Sequence, residues 1–356
     1  MFDYSLNHYH PEKDREPGAY EWWYTDADLD NGYTLNITFF HTDFTGPRYK
    51  EFLYRYAAAP NTPYNALDYA NVKMSLSDAE GKLLFFGDRN FTADQVKIAL
   101  DRVEASFGDN CHITTRQTGP MPELLMDVEI TDGNGNLGKA EVVFSPIVEG
   151  VKIGRGANMD TVVDGKHLYH KWIVAMPTAK VRVHLTITDS QGKTTEVNQT
   201  GFGYHDHNWG NHPLTQTLDR WYWGRIAEPD MTVIYAKVWN LVPSYPMYKP
   251  CIFTHDDHII SSTEGIDLIE NGVLTGLQGL RYTTEPTVRF LEGSGVKGEI
   301  RISNLEFLSE LSCYLRFSGD YDMDVETKYR RIKRQGKTIF EYMDLSESVR
   351  RAKAAS

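Results

Sequence analysis

The 356-residue sequence lacks the short motifs that hold nucleotides or activate common nucleophiles. It has no glycine-rich loop of the kind that cradles phosphate, no G-x-S-x-G elbow and no C-x-x-C pair. A nucleotide cofactor and a serine nucleophile are therefore disfavoured.

Cysteine, long apolar runs and positive charge are also scarce. The three cysteines, Cys111, Cys251 and Cys313, are far apart, which predicts buried free thiols in a reducing compartment. No segment approaches the roughly 18 uninterrupted apolar residues of a membrane span, and residues 1–18 lack the features of a signal peptide. We therefore expect a cytoplasmic protein. Its net charge of -12 would repel a phosphate backbone, so nucleic acid is not an expected partner.

Helical periodicity is rare, and apolar residues instead alternate with polar ones. Residues 34–40, 180–188 and 231–239 each show the period of two that is typical of half-buried strands. Clusters of Gly, Asn and Asp between such runs favour tight hairpins. The pattern predicts an all-β protein of antiparallel barrels or sandwiches, with a short C-terminal helix within residues 339–356.

A polar connector, EVNQTG, divides the chain into two parts of comparable size. Because domain boundaries fall in such segments, we predict two β domains, 1–200 and 201–356. The sequence also contains 7 Trp, 21 Tyr and 16 Phe. So many rings in a β-rich chain indicate either large cores or an apolar ligand cavity.

The first motif is EWWYTDA, residues 21–27. Adjacent side chains on a strand point to opposite faces, so one of Trp22 and Trp23 can pack in the core while the other lines a cavity. Packing of both rings is the alternative.

The second motif, TFFHTDF, places His41 and Asp43 on one face of a predicted strand. A carboxylate beside an imidazole orients the ring and raises its basicity, which suits proton transfer. A plain hydrogen-bonded pair is the alternative.

The third motif is GYHDHNWGN, residues 203–211. His205 and His207 are spaced to share one side of a strand, as metal ligands often do, and His212 could be a third ligand. No cysteine or acid stands at a familiar metal spacing, so we do not expect a metal. The alternative is that Asp206 ties a turn and Trp209 packs.

The fourth motif is DRWYWGRI, followed by TVIYAKVWN. Trp221 and Trp223 share a strand face, and Arg225 could lie over a ring as a cation–π partner. On the next strand, three side chains should point together: Tyr235, Lys237 and Trp239.

In this order, EWWYTDA, GYHDHNWG and WYWGR resemble the lipocalin-like superfamily of carotenoid 1,2-hydratases (hydroxyneurosporene synthases), terpenoid cyclases and lipocalin-like Diels–Alderases. The resemblance extends from about Tyr20 to Trp239. It implies two lipocalin/calycin-like β domains packed together, with a reaction chamber at or near their interface. It also implies no cofactor and a hydrophobic substrate such as a polyene, terpenoid or polyketide.

The resemblance has one departure that affects the expected reaction. In the hydratase pattern, a His and a Trp two positions apart are followed by Tyr-x-Asp on a later strand. His207 and Trp209 fit the first pair, but Tyr235-Ala236-Lys237 has lysine where the proton-donating Asp is expected. An ammonium can donate a hydrogen bond to a carbonyl but is a poor acid for an alkene.

We therefore expect a cofactor-independent cyclase, by terpenoid or polyene cyclisation or a Diels–Alder-type cycloaddition, in an inter-domain cavity. A carotenoid 1,2-hydratase-like enzyme and a non-catalytic lipocalin-type carrier are the alternatives, and a carbohydrate-active β protein is a third. Other acids remain available: Asp26, Asp43 and Asp206.

The expected catalytic residues are His205, Asp206, His207, Tyr235 and Lys237. The expected substrate-binding residues are Trp22, Trp23, Tyr24, His41, Trp209, Trp221, Trp223, Arg225 and Trp239.

Overall fold

The computed structural model describes residues 2–154, 158–245, 247–276, 279–310 and 313–345. It is mostly antiparallel β-structure, with one half-barrel sheet and one nearly closed barrel sheet, which confirms the predicted all-β fold class. The described part of the chain has no helix that is long and apolar enough to cross a membrane.

The described residues group into two compact units. Unit one takes its residues from Met1–Lys152 and Asp164–Leu214, and unit two from Ile153–Val163 and Thr215–Ser356. The sequence-based boundary between residues 200 and 201 falls inside a single strand of unit one.

The sheet of unit one contains the alternating segments near the N-terminus. Its strands, numbered in chain order, follow the path β4-β3-β2-β1-β12-β11-β9-β8-β7-β6-β5. Their bounds are β1 (Tyr20–Leu29), β2 (Thr34–Phe40), β3 (Asn71–Ser77), β4 (Leu83–Asn90), β5 (Val96–Ile98), β6 (Glu104–Phe107), β7 (Cys111–Arg116), β8 (Glu123–Thr131), β9 (Leu137–Pro146), β11 (Lys166–Thr188) and β12 (Thr194–Gly210).

The larger sheet of unit two follows the path β17-β16-β14-β13-β24-β23-β22-β21-β18, and β19 pairs with β20 in a separate hairpin. The strands of this unit are β10 (Asn158–Val163), β13 (Leu218–Glu228), β14 (Met231–Asn240), β15 (Met247–Tyr248), β16 (Cys251–His255), β17 (His258–Thr263), β18 (Ile266–Ile269), β19 (Val273–Thr275), β20 (Arg281–Thr283), β21 (Thr287–Phe290), β22 (Val296–Glu310), β23 (Tyr314–Thr327) and β24 (Arg331–Asp344).

The helix α1 (Pro47–Ala58) was not predicted from the sequence. It begins with proline at its first turn, a position where the missing N–H costs nothing, and it buries only Tyr49 and Phe52. So narrow an apolar face gives a weak periodic signal. Short 3-10 helices occur at Tyr4–Asn7, Pro11–Lys13, Ala66–Tyr69, Ala93–Gln95 and Leu214–Gln216.

The predicted C-terminal helix is wrong for residues 339–344, which form the end of β24. Phe340 pairs with Phe317 of β23, and the run from Thr338 to Met343 is buried. Pairing and burial within the sheet override the local helical pattern. Leu345 is helical, and residues 346–356, the remainder of that prediction, lie outside the described residues.

Each unit has its own apolar core. In unit one the core includes Trp23, Phe39 and Phe107, and in unit two it includes Tyr222 and Phe340. All three cysteines are free and buried, as predicted.

Candidate functional site

The GYHDHNWGN segment is not a turn, because residues 203–210 form the end of β12. This strand is antiparallel to β1, and His207 lies opposite Trp23. Successive side chains of a strand point to opposite faces. His205 and His207 therefore share one face, as predicted, while Asp206 lies on the other.

One face of β1 and β12 carries a group of stacked side chains. We call it the histidine cluster: His10, Glu21, Trp23, His207 and Trp209. The His207 ring centroid lies 4.9 Å from Trp23 and 4.9 Å from Trp209, and His10 stacks on Trp209 at 4.0 Å. The stacking fixes the planes of both imidazoles.

Glu21 joins this cluster to a buried lysine of the N-terminal segment. Its Oε1 atom is 2.8 Å from His207 Nε2, and its Oε2 atom forms an ion pair with Lys13 Nζ. All three side chains are fully buried. Burial alone would raise the pKa of Glu21, but Lys13 and His207 together outweigh it and lower the pKa to about 2. Glu21 is therefore a carboxylate.

A second, partly buried ion pair lies beside the first. Asp14 Oδ1 is 2.8 Å from Lys13 Nζ and 3.2 Å from His41 Nε2, and the Tyr9 hydroxyl donates to Asp14 Oδ2. Burial opposes ionisation of Asp14, but hydrogen bonding and charge from His41, with Lys13, bring its pKa well below the usual value. Lys13 thus connects two carboxylates within the N-terminal segment and β1.

The prediction that His41 and Asp43 share one face of a strand is wrong. Strand β2 ends at Phe40, and both residues lie in the loop that follows. Asp43 Oδ2 instead pairs with Lys73 Nζ at 2.8 Å. His41 finds its carboxylate in Asp14, a partner that local spacing could not indicate.

His205 is a neutral, fully engaged imidazole. Its Nδ1 donates to the Tyr24 carbonyl at 2.9 Å, and its Nε2 accepts from Asn7 Nδ2 at 3.0 Å. Burial lowers its pKa to about 3. Among the described residues, the potential ligand atoms that converge within 4.8 Å belong to His10, Glu21 and His207. The grouping of His205 and His207 with His212, considered from the sequence, is not formed.

The opposite face of the same strands carries a different group. We call it the carboxylate cluster: Tyr24, Asp26, Trp172, Tyr204 and Asp206. Asp206 Oδ2 accepts from Trp172 Nε1 at 2.9 Å and from the Tyr204 hydroxyl at 2.7 Å, while Oδ1 accepts from Asn208 Nδ2 at 3.1 Å. Asp26 Oδ2 accepts from the Tyr24 hydroxyl at 3.0 Å.

These contacts define what the carboxylate cluster can do chemically. Hydrogen bonds from three donors favour the ionised form of Asp206 over the acid. Burial and then the neighbouring Asp206 raise the pKa of Tyr204 well above its usual value, so Tyr204 stays a donor. The cluster is a buried carboxyl group held among aromatic rings.

The two tryptophans of EWWYTDA lie on opposite faces, as predicted. Trp23 is buried in the core of unit one, and its Nε1 donates to the Asn7 carbonyl at 3.1 Å. Trp22 is only half-buried and packs against Phe44, with ring centroids 4.8 Å apart. Trp22 therefore shares the face of the carboxylate cluster.

The other predicted residues belong to unit two. Tyr235 is fully buried in its core. Lys237 Nζ forms an ion pair with Glu270 at 2.7 Å and lies 4.7 Å from the centre of the Trp239 ring. Arg220 lies over the same ring at 4.4 Å. The ammonium of Lys237 is thus already held by a carboxylate and an indole.

On β13, Tyr222 packs in the core of unit two. Trp221 and Trp223 therefore share the opposite face of the strand, as predicted. Trp223 and Arg225 are buried on that side, and Trp221 is half-buried.

Sequence reasoning missed His10, Trp172 and Tyr204 of these clusters. It also missed three residues that contact predicted or cluster residues: Asn7, Lys13 and Asp14. Lys13 and Asp14 stand in the charged run PEKDRE, which is typical of a solvated surface. The only available signal was the unusual density of His and Tyr just before that run. Trp172 lies in the long alternating segment of β11 and carries no local mark.

Comparison with known proteins supports the resemblance in the sequence. The family described as carotenoid hydratase CrtC matches residues 148–244. Hydroxyneurosporene dehydrogenase of Chlorobaculum tepidum is 28% identical over 312 residues, which cover 85% of this chain and 77% of that protein. The quinolone epoxide rearrangement protein penF of Penicillium thymicola is 27% identical over 162 residues, covering 43% of this chain and 42% of that protein.

The fold comparison agrees. The crystal structure of kievitone hydratase from Nectria haematococca superposes with a TM-score of 0.56 at 11% identity, over 96% of this chain and 94% of that one. These matches agree with the resemblance of the sequence motifs to the lipocalin-like superfamily of hydratases and cyclases. The printed names of these similar proteins describe a hydratase, a dehydrogenase and a rearrangement protein.

Proposed function

We propose that this lipocalin-like chain is a cofactor-independent cyclase that acts on a hydrophobic, unsaturated substrate. The observation that carries the proposal is the buried Asp206 carboxylate, which accepts hydrogen bonds from an indole, a phenol and an amide. A carboxylate of this kind can accept a proton without reorganising its surroundings. The aromatic side chains around it suit an apolar guest.

The proposed chemistry is proton transfer between the substrate and Asp206. The Asp206 carboxylate removes a proton from a carbon next to a substrate carbonyl, the ring closes by forming a carbon–carbon bond, and the protonated carboxyl returns the proton, so the product is an isomer of the substrate. Aromatic faces such as Trp22 and Tyr24 stabilise positive charge without reacting with it. Asp206 replaces Lys237 as the preferred catalytic residue, because Lys237 is held in an ion pair with Glu270.

Hydration of an alkene is the second candidate. It is favoured by the carotenoid hydratase match over residues 148–244, a range that includes Trp172, Tyr204 and Asp206. In that reaction the same carboxylate would take a proton from the attacking water. Tyr235 remains a proposed contributor in either case.

Product mass distinguishes these functions. The purified protein is incubated with a panel of acyclic polyenes, terpenoids and carbonyl-bearing polyketides in water enriched in ¹⁸O, and the products are analysed by mass spectrometry. An isomer of unchanged mass supports the cyclase, whereas a product that has gained labelled water supports the hydratase. Recovery of every ligand unchanged, although bound, would favour the carrier.

The role of Asp206 is tested by Asp206→Asn, which keeps the shape of the side chain but removes the base. We expect turnover to fall by at least about 100-fold, the usual contribution of a positioned general base. The control is Glu196→Gln, on an exposed position of the same strand, which should leave turnover unchanged. Full activity of a folded Asp206→Asn protein would refute the assignment.

A further inference from the structure

The histidine cluster contains the donor set of a metal site. The potential ligand atoms of His10, Glu21 and His207 all lie within 4.8 Å of one another. Glu21 and His207 are fully buried, and the side chain of His10 is 18% exposed. Two imidazoles and one carboxylate are a ligand set that zinc uses in proteins, usually with a fourth position open to water.

Each imidazole has one nitrogen facing a backbone carbonyl and the other near a carboxylate, His10 Nδ1 at 3.6 Å from Glu12 Oε1 and His207 Nε2 at 2.8 Å from Glu21 Oε1. The Leu6 carbonyl is 3.2 Å from His10 Nε2 and 3.1 Å from His207 Nδ1. A carbonyl oxygen can only accept, so these nitrogens carry the protons. The lone pairs then belong to His10 Nδ1 and His207 Nε2. Donation of the second ring N–H to a backbone carbonyl is typical of metal-binding histidines.

The short contact between His207 Nε2 and Glu21 Oε1 is favourable only if a cation lies between the two atoms. With the proton on Nδ1, Nε2 presents a lone pair to Glu21 Oε1 at 2.8 Å. Two such groups repel each other unless a proton or a metal ion lies between them. Ligand atoms in a tetrahedral zinc site are about 3.3 Å apart, so this pair has to separate by about half an ångström, while ligand atoms that lie up to 4.8 Å apart have to approach by as much as about 1.5 Å.

The surroundings hold the ligands in place. Trp209 stacks on both imidazoles, and Trp23 stacks on the other side of His207. Lys13 occupies Glu21 Oε2, which leaves Oε1 as the single ligand atom of the carboxylate. The ligands come from the N-terminal segment, β1 and β12, so one ion would join three separate segments of the chain.

We propose that His10, Glu21 and His207 form a binding site for one divalent transition-metal ion of the zinc type. The ion fastens the N-terminal segment onto the sheet of unit one. The borderline-soft nitrogen and oxygen donors favour Zn²⁺ and its substitute Co²⁺ over Mg²⁺ or Ca²⁺, which prefer oxygen ligands alone. The site lies on the opposite face of β12 from Asp206, so the proposal does not depend on the proposed reaction there.

The test measures metal binding directly. The full-length protein is treated with a chelator, dialysed and titrated with Co²⁺, and its visible absorption is recorded. We expect one equivalent to bind with the intense absorption of four-coordinate cobalt, and stoichiometric Zn²⁺ to abolish the band and raise the unfolding temperature. No cobalt band, together with no zinc-dependent shift in unfolding temperature, would overturn the proposal.

The decisive variant is His10→Phe, which keeps a ring on Trp209 but removes one ligand. Its affinity for Zn²⁺ should fall by at least about tenfold. His8→Phe is the matched control, because His8 lies in the same segment outside the cluster, and it should bind as the unmodified protein does. Equal affinity of the two variants would also overturn the proposal. If His10→Phe does not fold, the cobalt spectrum of the unmodified protein decides alone.

Discussion

His205 shows how a buried imidazole can serve structure rather than catalysis. It donates to the Tyr24 carbonyl and accepts from Asn7, so its neutral form satisfies both nitrogens. Protonation would place two donors, Asn7 Nδ2 and the new N–H, against each other. The ring therefore resists protonation for a geometric reason as well as because it is buried. We infer that His205 positions the N-terminal segment and does not transfer protons.

This geometry predicts a loss of stability in acid. The pKa of His205 is lowered from 6.5 to about 3, so between these values the unfolded chain binds a proton that the folded chain does not. Stability is therefore fully present above pH 6.5 and is lost as the pH falls. At pH 4.5 the two-unit difference corresponds to about 3 kcal/mol. His170, with a pKa lowered to about 3, and His212, lowered to about 4, act in the same direction.

The contribution of His205 can be isolated with His205→Gln, which cannot titrate. Urea unfolding is followed at pH 7 and pH 4.5 by tryptophan fluorescence. We expect the acid-induced loss of unfolding free energy to be smaller in His205→Gln by about 3 kcal/mol. His184→Gln, at an exposed position with a side chain 47% accessible, should lose as much as the unmodified protein. The same loss in both variants would contradict the assignment.

Which side chains share a face could be predicted at the residue scale, but their partners could not. The period of two placed His205 with His207 and separated Trp22 from Trp23, and the register of β1 with β12 agrees. The partner of His41 came from residue 14 rather than residue 43. Such contacts depend on the path of the N-terminal segment. Because this segment has no alternating apolar pattern, its path could not be predicted from the sequence.

At the scale of elements, the N-terminal segment is held on β1 by charges that are removed from water. Lys13 and Glu21 are both fully buried, and Lys13 also contacts Asp14. Removing one partner from a buried pair leaves an uncompensated charge, which costs far more than the pair contributes. A conformation in which the N-terminal segment left β1 would strand one of these charges, so the ion pair strongly favours the observed placement.

Lys13→Met tests this attachment, because it keeps most of the apolar stem and removes the charge. We expect a loss of about 3–5 kcal/mol in unfolding free energy. Adding Glu21→Gln should recover part of that loss, since the second change removes the stranded carboxylate. Lys139→Met, which breaks an exposed pair with Glu129, should cost less than about 1 kcal/mol. Similar losses for Lys13→Met and Lys139→Met would show that burial does not matter here.

The elements that the sequence misassigned have a common physical cause. Residues 339–344 have several adjacent apolar residues that suit a helix or a buried strand equally well, and pairing with β23 decides between them. Helix α1 shows the reverse case, since Tyr49 and Phe52 alone anchor a largely polar segment. Where both patterns fit, contacts with distant strands determine the element.

At the scale of the whole molecule, each sheet is built from a continuous part of the chain. Strands β1 to β9, β11 and β12 of the first sheet all lie before residue 215, whereas the larger sheet of unit two uses strands after it. The two β domains predicted from the polar connector have their boundary at residues 200 and 201, whereas the chain groups into compact units divided near residues 214 and 215. The connector EVNQTG looks like a linker because it is polar, yet its residues lie within β12.

This arrangement predicts different fates for two fragments of the chain. Residues 1–214 retain all of β12, whereas residues 1–200 lack the part of β12 that pairs with both β1 and β11. Loss of a strand from the middle of a sheet leaves two rows of backbone groups without partners and exposes the core beneath. We therefore expect the longer fragment to show β-type circular dichroism with cooperative thermal unfolding, and the shorter one to aggregate or remain unfolded. Cooperative unfolding of both fragments at the same temperature would instead place the true boundary at the polar connector.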